Sequence, residues 1–304
     1  MQRIQTKILP TLLFTAIHLF LTLPVVAAEN RLELVHIHGL GFDQQGEELL
    51  VPAHFGMAIY TEGKWHKADG PDHDFMGFSI TRDAFYSSGH PAQDSALANP
   101  FGLKKSNDNG KSWQNLGMQG EADFHIMSSG YNTNAIYLFN MVVNRTLTQR
   151  GLSYTLDDGE HWYHAEMKDT PEPVALATHP DNSAIVAAAS REGLYLSSDH
   201  GQHFKQLDSQ QEVYALGFDL DGQHLYYAGY DSAPSLTRLH INTGQRSIIE
   251  LPALDRDAVA FIAQNPVRQQ QLAIATFNRD VYLSYDGGKT WTPIALQGDT
   301  INSH

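Results

Sequence analysis

The sequence predicts an all-β chain closed into a six-bladed β-propeller of four-stranded antiparallel blades, and three observations carry that expectation. An octapeptide recurs at a near-constant period, all four tryptophans occupy one position of it, and only short apolar strands lie between the copies. Short strands with regular turns and a period in the forties describe blades stacked radially about an axis.

The first 28 of the 304 residues read as an address. Arg3 and Lys7 precede an apolar run from Ile8 to Val26, and Val26-Ala27-Ala28 puts small residues before Glu29. That is the pattern of a secretory signal peptide, which predicts export to a periplasm or the extracellular space, with residues 29–304 as a single propeller domain. No later stretch approaches the roughly 20 apolar residues of a spanning helix, so no stable membrane insertion is expected after cleavage. Twenty Lys+Arg against 34 Asp+Glu give a charge of −14, which argues against nucleic acid as a partner. The chain has no cysteine, which excludes disulfides, thiol catalysis and thiolate-ligated metal.

Four copies of the octapeptide match closely, beginning at Ser106, Thr155, Ser197 and Ser284 and ending at Trp113, Trp162, Phe204 and Trp291. The spacings of the terminal aromatics are 49, 42 and 87 residues, so a decayed copy belongs near residue 247, where His240 to Ser247 keeps the glycine and loses the aromatic. Thr61-Glu-Gly63-Lys-Trp65 is a shortened first copy. Six positions over about 276 residues leave about 46 per blade. The Ser/Thr and Asp of each copy can bond nearby backbone N–H groups, the Gly supplies positive φ, and the aromatic opens the next strand. Each copy is therefore a hairpin turn.

The pattern Ser/Thr-x-Asp-x-Gly-x-Ser/Thr-Trp resembles the Asp-box, or bacterial neuraminidase repeat, of sialidase-like propellers, and the resemblance covers the whole chain after residue 28. It implies that the box turns lie between the third and fourth strands on the lower face, away from any active site, so that Asp108, Asp157, Asp199 and Asp286 are structural. The class spans sialidases, xyloglucanases, sorting receptors and assembly factors, so it implies a fold and not an activity. Three further segments, His36-Ile-His-Gly-Leu40, His73-Asp-Phe-Met-Gly-Phe78 and Ser88-Gly-His-Pro91, are similar to segments of exported bacterial propellers labelled glycosyl hydrolases.

With boxes below, the starts of the inner strands and the ends of the second strands form the upper face. This register places His36, His38, His54, His73, Asp74, His90, Asp123 and His125 on one half of that face. His36 and His38 are spaced i,i+2 on a strand, so their rings share a side. The candidate metal ligands are thus His36, His38, His54, His73, Asp74, His90 and His125, a donor set suited to Zn²⁺, Cu²⁺ or Ni²⁺. The other half offers Arg191, Arg279, Tyr214 and Tyr230, which with Arg145 of the blade-three connection are the candidate ligand-binding residues. Long connections at Gly89–Gly102 and Asn140–Arg150 also rise to this face.

A true sialidase needs an arginine triad and an Arg-Ile-Pro segment, and the latter is absent. If the chain is an enzyme, it is a glycoside hydrolase working through a carboxylate pair, with Glu172, Glu212 and Asp257 as candidates. The expected function is an exported propeller whose His-rich upper face binds a metal ion, glycan or other small molecule. The alternatives are the glycoside hydrolase and an envelope scaffold that docks a partner protein. A monomer is expected in each case.

Overall fold

The computed structural model describes residues 32–303, so the signal-peptide expectation for residues 1–28 lies outside the described residues. These residues form six antiparallel sheets and no helix, and among them no helix is long and apolar enough to cross a membrane. Blade 1 contains β1 (Gly41–Phe42), β2 (Leu49–Ala53), β3 (Gly56–Thr61) and β4 (Lys64–Lys67). Blade 2 contains β5 (Asp74–Ile80), β6 (Phe85–His90), β7 (Leu103–Ser106) and β8 (Gln114–Gly117). Blade 3 follows with β9 (Met127–Ser129), β10 (Ile136–Asn140), β11 (Gly151–Thr155) and β12 (Tyr163–His164). In blade 4 are β13 (Ala175–Thr178), β14 (Val186–Ser190), β15 (Gly193–Ser197) and β16 (Lys205–Asp208). In blade 5 are β17 (Glu212–Phe218), β18 (His224–Tyr230), β19 (Pro234–His240) and β20 (Arg246–Ile248). Blade 6 has β21 (Val259–Gln264), β22 (Leu272–Thr276), β23 (Val281–Ser284), β24 (Thr292–Leu296) and a fifth short strand, β25 (Asp299–Thr300).

Each sheet is ordered inside to outside as in the chain, and the first strands of successive blades neighbour one another around the axis until β21 meets β1. There is no single core. Six apolar wedges lie between adjacent blades instead, because successive side chains of a strand point to opposite faces. Ile136 and Leu138 of β10 pack toward blade 2, while Tyr137 and Phe139 pack toward blade 4. A strand buried on both faces needs a continuous apolar run, and β2, β10, β14 and β22 are buried throughout.

The box turns fall between the third and fourth strands of every blade, including the decayed copy joining β19 to β20. In the box from Ser106, Ser106 Oγ donates to Asp108 Oδ1 at 2.8 Å and accepts from Gly110 N at 2.9 Å, while Ser112 N and Oγ donate to the two carboxylate oxygens. The other three full boxes repeat this network. In two of them an imidazole replaces the second hydroxyl, with His161 Nδ1 on Asp157 and His203 Nδ1 on Asp199. Donated hydrogen bonds favour the ionised carboxylate: the Thr290 hydroxyl first, then its N–H, brings Asp286 down to about 2.

The ring is closed by residues 32–34 meeting residues 298–300. Leu34 N donates to Gly298 O at 2.8 Å, Glu33 bridges Asp299, and Thr300 Oγ1 donates to Leu32 O at 2.5 Å. Beyond β25 the chain lies along blade 1, where Ser303 N donates to Gly63 O and Asn302 Oδ1 accepts from Trp65 N at 2.9 Å. Trp65 Nε1 reaches Ile294 O at 2.7 Å, and the wedge beneath it mixes side chains of blades 1 and 6.

Candidate metal centre and its cavity

Blades 1 and 2 bring four of the named residues together on the upper face. His36 and His38 precede β1, with His38 N bonded to Pro52 O in continuation of the β1–β2 ladder. Their rings are parallel within 3°, with centroids 5.9 Å apart, as the i,i+2 spacing requires. His54 follows β2 in the turn to β3, and its ring lies 4.3 Å from that of His36 and 4.8 Å from that of His38. Asp74 opens β5 beside them. His54 Nδ1 stands 3.1 Å from Asp74 Oδ2, and His38 Nε2 stands 3.5 Å from Asp74 Oδ1. The carbonyl of Asp74 is pressed by Gly89, where an added Cβ would fall 2.0 Å from that oxygen, so no side chain fits there.

His38 Nε2 and Asp74 Oδ1 are buried and have no hydrogen-bond partner. One ligand atom from each of His38, His54 and Asp74 lies within 4.8 Å of the others. The edge of a tetrahedral zinc site with N and O ligands is roughly 3.3 Å, so these separations fit three corners of one coordination sphere. Burial is the largest influence on His38 and lowers its pKa to about 4; Asp74 opposes the shift, and the imidazoles of His54, His36 and His125 add to it. The ring is therefore neutral at neutral pH, with its Nε2 lone pair available when the proton sits on Nδ1.

This depressed pKa has a measurable consequence for the metal-free protein. An unfolded histidine binds a proton below about pH 6.5, whereas folded His38 does so only below about 4. Stability is unaffected above pH 6.5 and falls as the pH drops to 4. A pKa difference of one is worth roughly 1.4 kcal/mol, so the expected loss is about 2–3 kcal/mol once partial solvent screening at the rim is allowed for. Urea denaturation of chelator-treated protein at pH 7 and pH 4 should show this loss beyond that of His38→Gln. Equal losses in the two proteins would remove the effect from His38.

The other named histidines sit elsewhere. His73 neighbours Asp74 in sequence and therefore faces the opposite side of the blade, where it is buried against Phe75 and Phe101 and its Nδ1 accepts from Ala92 N at 3.0 Å. His90 Nδ1 is bonded to Asn99 Oδ1 at 2.7 Å, and its Nε2 is 3.4 Å from Asp123 Oδ2. His125 Nε2 shares that same oxygen at 2.7 Å. Asp123 thus bridges two imidazoles from blades 2 and 3 beside the first cluster. Two further acid–histidine groups qualify by distance only. Asp219 and Asp221 are both paired with Arg238, and His224 with Asp221, while Asp157, Glu160 and His161 belong to an exposed box turn.

The cluster of His38, His54 and Asp74 stands at the rim of a central cavity of about 930 Å³ running down the axis, with His36, His38 and His125 in its wall. Arg191, Tyr214 and Arg279 line the far side of its mouth. A second cavity of about 490 Å³ opens beside Arg191, Glu212, Tyr214 and Tyr230, with the Tyr214 hydroxyl bonded to Glu212. Arg145 lies away from both cavities, paired with Glu121. Glu172 is exposed in an ion pair with Arg150 at 3.2 Å. Asp257 is buried, its Oδ1 accepting from Ala258 N and Asn278 N, and lines neither cavity. The carboxylates Glu172, Glu212 and Asp257 are thus not gathered around one cleft. The apolar lining of the axis escaped the sequence reading, although the alternation of Met76, Phe78 and Ile80 along β5 carries its signal.

Comparison with known proteins agrees with the architecture. Residues 103–240 match the family model described as Sortilin, neurotensin receptor 3, and residues 282–293 match the BNR/Asp-box repeat model. A search of curated proteins finds no sequence match. Among solved structures, the GH74 enzyme of Niastella koreensis aligns with TM-score 0.58 at 14% identity, over 87% of this chain and 46% of that one. An ancestral GH74 enzyme aligns with TM-score 0.51 at 12% identity, over 89% and 40% of the two chains. The chain thus spans less than half the length of these enzymes, and likeness at such identity concerns the fold alone. The six sheets, the box turns below them and the repeat match together identify the protein as a six-bladed β-propeller of the BNR/Asp-box type.

Proposed function

We propose that this chain is an exported metal-binding propeller that holds one Zn²⁺ or Cu²⁺ ion between His38, His54 and Asp74 on its upper face. The observation that carries the reading is the pair of buried, unpartnered atoms, His38 Nε2 and Asp74 Oδ1, aimed at each other across 3.5 Å with His54 alongside. Buried polar atoms in native proteins almost always have a partner, and a cation accepts from both at once. Imidazole and carboxylate suit Zn²⁺ and Cu²⁺, and the absence of cysteine leaves these as the strongest donors in the chain. His36, beside His54, is placed to supply a further ligand after rotation of its exposed ring. The open side of the ion would face the mouth of the central cavity, where a water molecule or bound molecule completes the coordination.

Titration calorimetry of chelator-treated protein with Zn²⁺ and with Cu²⁺, followed by elemental analysis after desalting, tests the reading. Retention of about one ion per chain is expected. No heat with either ion, and no metal retained, would overturn it.

A further inference from the structure

The wall of the central cavity carries a charge pattern opposite to that of the chain. With 34 Asp+Glu in the sequence, none of the described residues lining the cavity is acidic, and the permanently charged ones are Arg191 and Arg279. Arg191 lies in the turn from β14 to β15 and Arg279 in the turn from β22 to β23, so both stand at the upper mouth, on either side of blade 5. Arg279 gives one N–H to Val35 O at 3.1 Å, and the arginine ion pairs of the described residues involve other guanidiniums.

Below the mouth, apolar side chains share the wall with the polar Ser79, Ser128, Ser129, Thr178 and Gln264. Leu40, Phe78, Ile126, Phe218 and Phe261 face the channel from five blades and keep part of their surface uncovered, although each belongs to an inner strand or its approach. Apolar surface left open inside a concave, pre-formed space is removed from water when a ligand fills it. Ser79 and Ser129 are bonded to each other, and Ser128 and Gln264 accept from backbone N–H groups, so these polar groups of the wall are already engaged. A neutral hydrocarbon would leave the two guanidiniums without purpose.

We propose that the channel binds an amphipathic organic anion, a fatty-acid-like monocarboxylate, with its carboxylate between Arg191 and Arg279 and its hydrocarbon chain directed down the axis. Planar guanidiniums present paired donors that match a carboxylate in geometry as well as charge. The proposal does not depend on the metal reading, since neither arginine nor any of the apolar residues named belongs to the metal cluster.

The test uses the metal-free chain, so that failure of the metal reading leaves it unaffected. Calorimetric titration with decanoate, at concentrations below micelle formation, is compared with titrations by decyltrimethylammonium and by acetate. Decanoate should saturate at one per chain and bind at least about tenfold more tightly than either comparator. R191Q combined with R279Q should weaken decanoate about tenfold or more, a size set by the loss of charge-assisted hydrogen bonds. Gly217→Leu is a second variant that narrows the channel without touching the mouth. An added Cβ there meets only Ile262 O, at an ordinary 3.6 Å, so the fold accommodates the change, and decanoate affinity should fall. Equal affinity for the cationic comparator, or no response to R191Q/R279Q, would overturn the proposal. Acetate binding as tightly as decanoate would overturn it as well, because the apolar channel would then contribute nothing.

Discussion

His38→Gln and Asp74→Asn are each expected to weaken Zn²⁺ or Cu²⁺ binding by about 100-fold or more while leaving the propeller folded. Loss of residues that merely orient metal ligands costs 10- to 100-fold in affinity, and removal of a ligand atom should cost at least as much. Both substitutions keep shape and remove the donor: glutamine has no imidazole lone pair, and asparagine lacks the negative charge beside the two rings. Neither breaks an existing hydrogen bond at the facing atoms, since His38 Nε2 and Asp74 Oδ1 have none to lose. The melting temperature of the metal-free variants should therefore stay near that of the parent at neutral pH. The matched control is His161→Ser, which restores the usual hydroxyl to an exposed box turn on the lower face and should leave metal affinity unchanged. Equal weakening by the control, or full affinity in both His38→Gln and Asp74→Asn, would remove the ion from the proposed cluster.

Trp65→Ala is expected to be the most damaging single substitution at the seam that closes the ring. Truncation of a buried Trp typically costs about 3–5 kcal/mol. Two further losses accompany it here: the indole N–H no longer reaches Ile294 O, and the wedge between blades 1 and 6 loses its outer cover. At roughly 2–4 °C per kcal/mol for a chain of this size, thermal unfolding should begin about 6–20 °C lower. Trp113→Ala offers the comparison. That residue is only half-buried, and its Nε1 bonds Gly110 O within its own box, so a smaller loss is expected. If calorimetry shows equal or smaller losses for Trp65→Ala, the closure does not rest on this side chain.

What could be read from the sequence follows from how local each interaction is. The boxes were legible because their bonds join residues two to four apart, which fixes both the residue types and their spacing. Six copies at a near-constant period then set the blade number, and the register of the strands followed. The grouping of His36 and His38 was legible for the same reason, since a strand places i and i+2 on one side. The same alternation works against pairing His73 with Asp74: adjacent strand residues face opposite ways, so His73 belongs to the packing behind blade 2. His90 points to Asn99 and Arg145 to Glu121 because long connections bring those partners in, and loops carry no period to read. The closure escaped for a different reason. Its bonds join residues more than 220 positions apart, and Leu32, Leu34 and Ser303 look ordinary in sequence. The third strong ligand candidate, His54, was placed only through the register of β2, which depended on the repeat.

Whether His38, His54 and Asp74 form one metal site is decided by anomalous X-ray scattering from crystals loaded with Zn²⁺, collected on both sides of the zinc edge. A single strong peak is expected within about 2.0–2.2 Å of His38 Nε2, His54 Nδ1 and a carboxylate oxygen of Asp74. A peak only at the box turn of Asp157 and His161, or no peak at the upper face of a fully loaded crystal, would contradict the assignment.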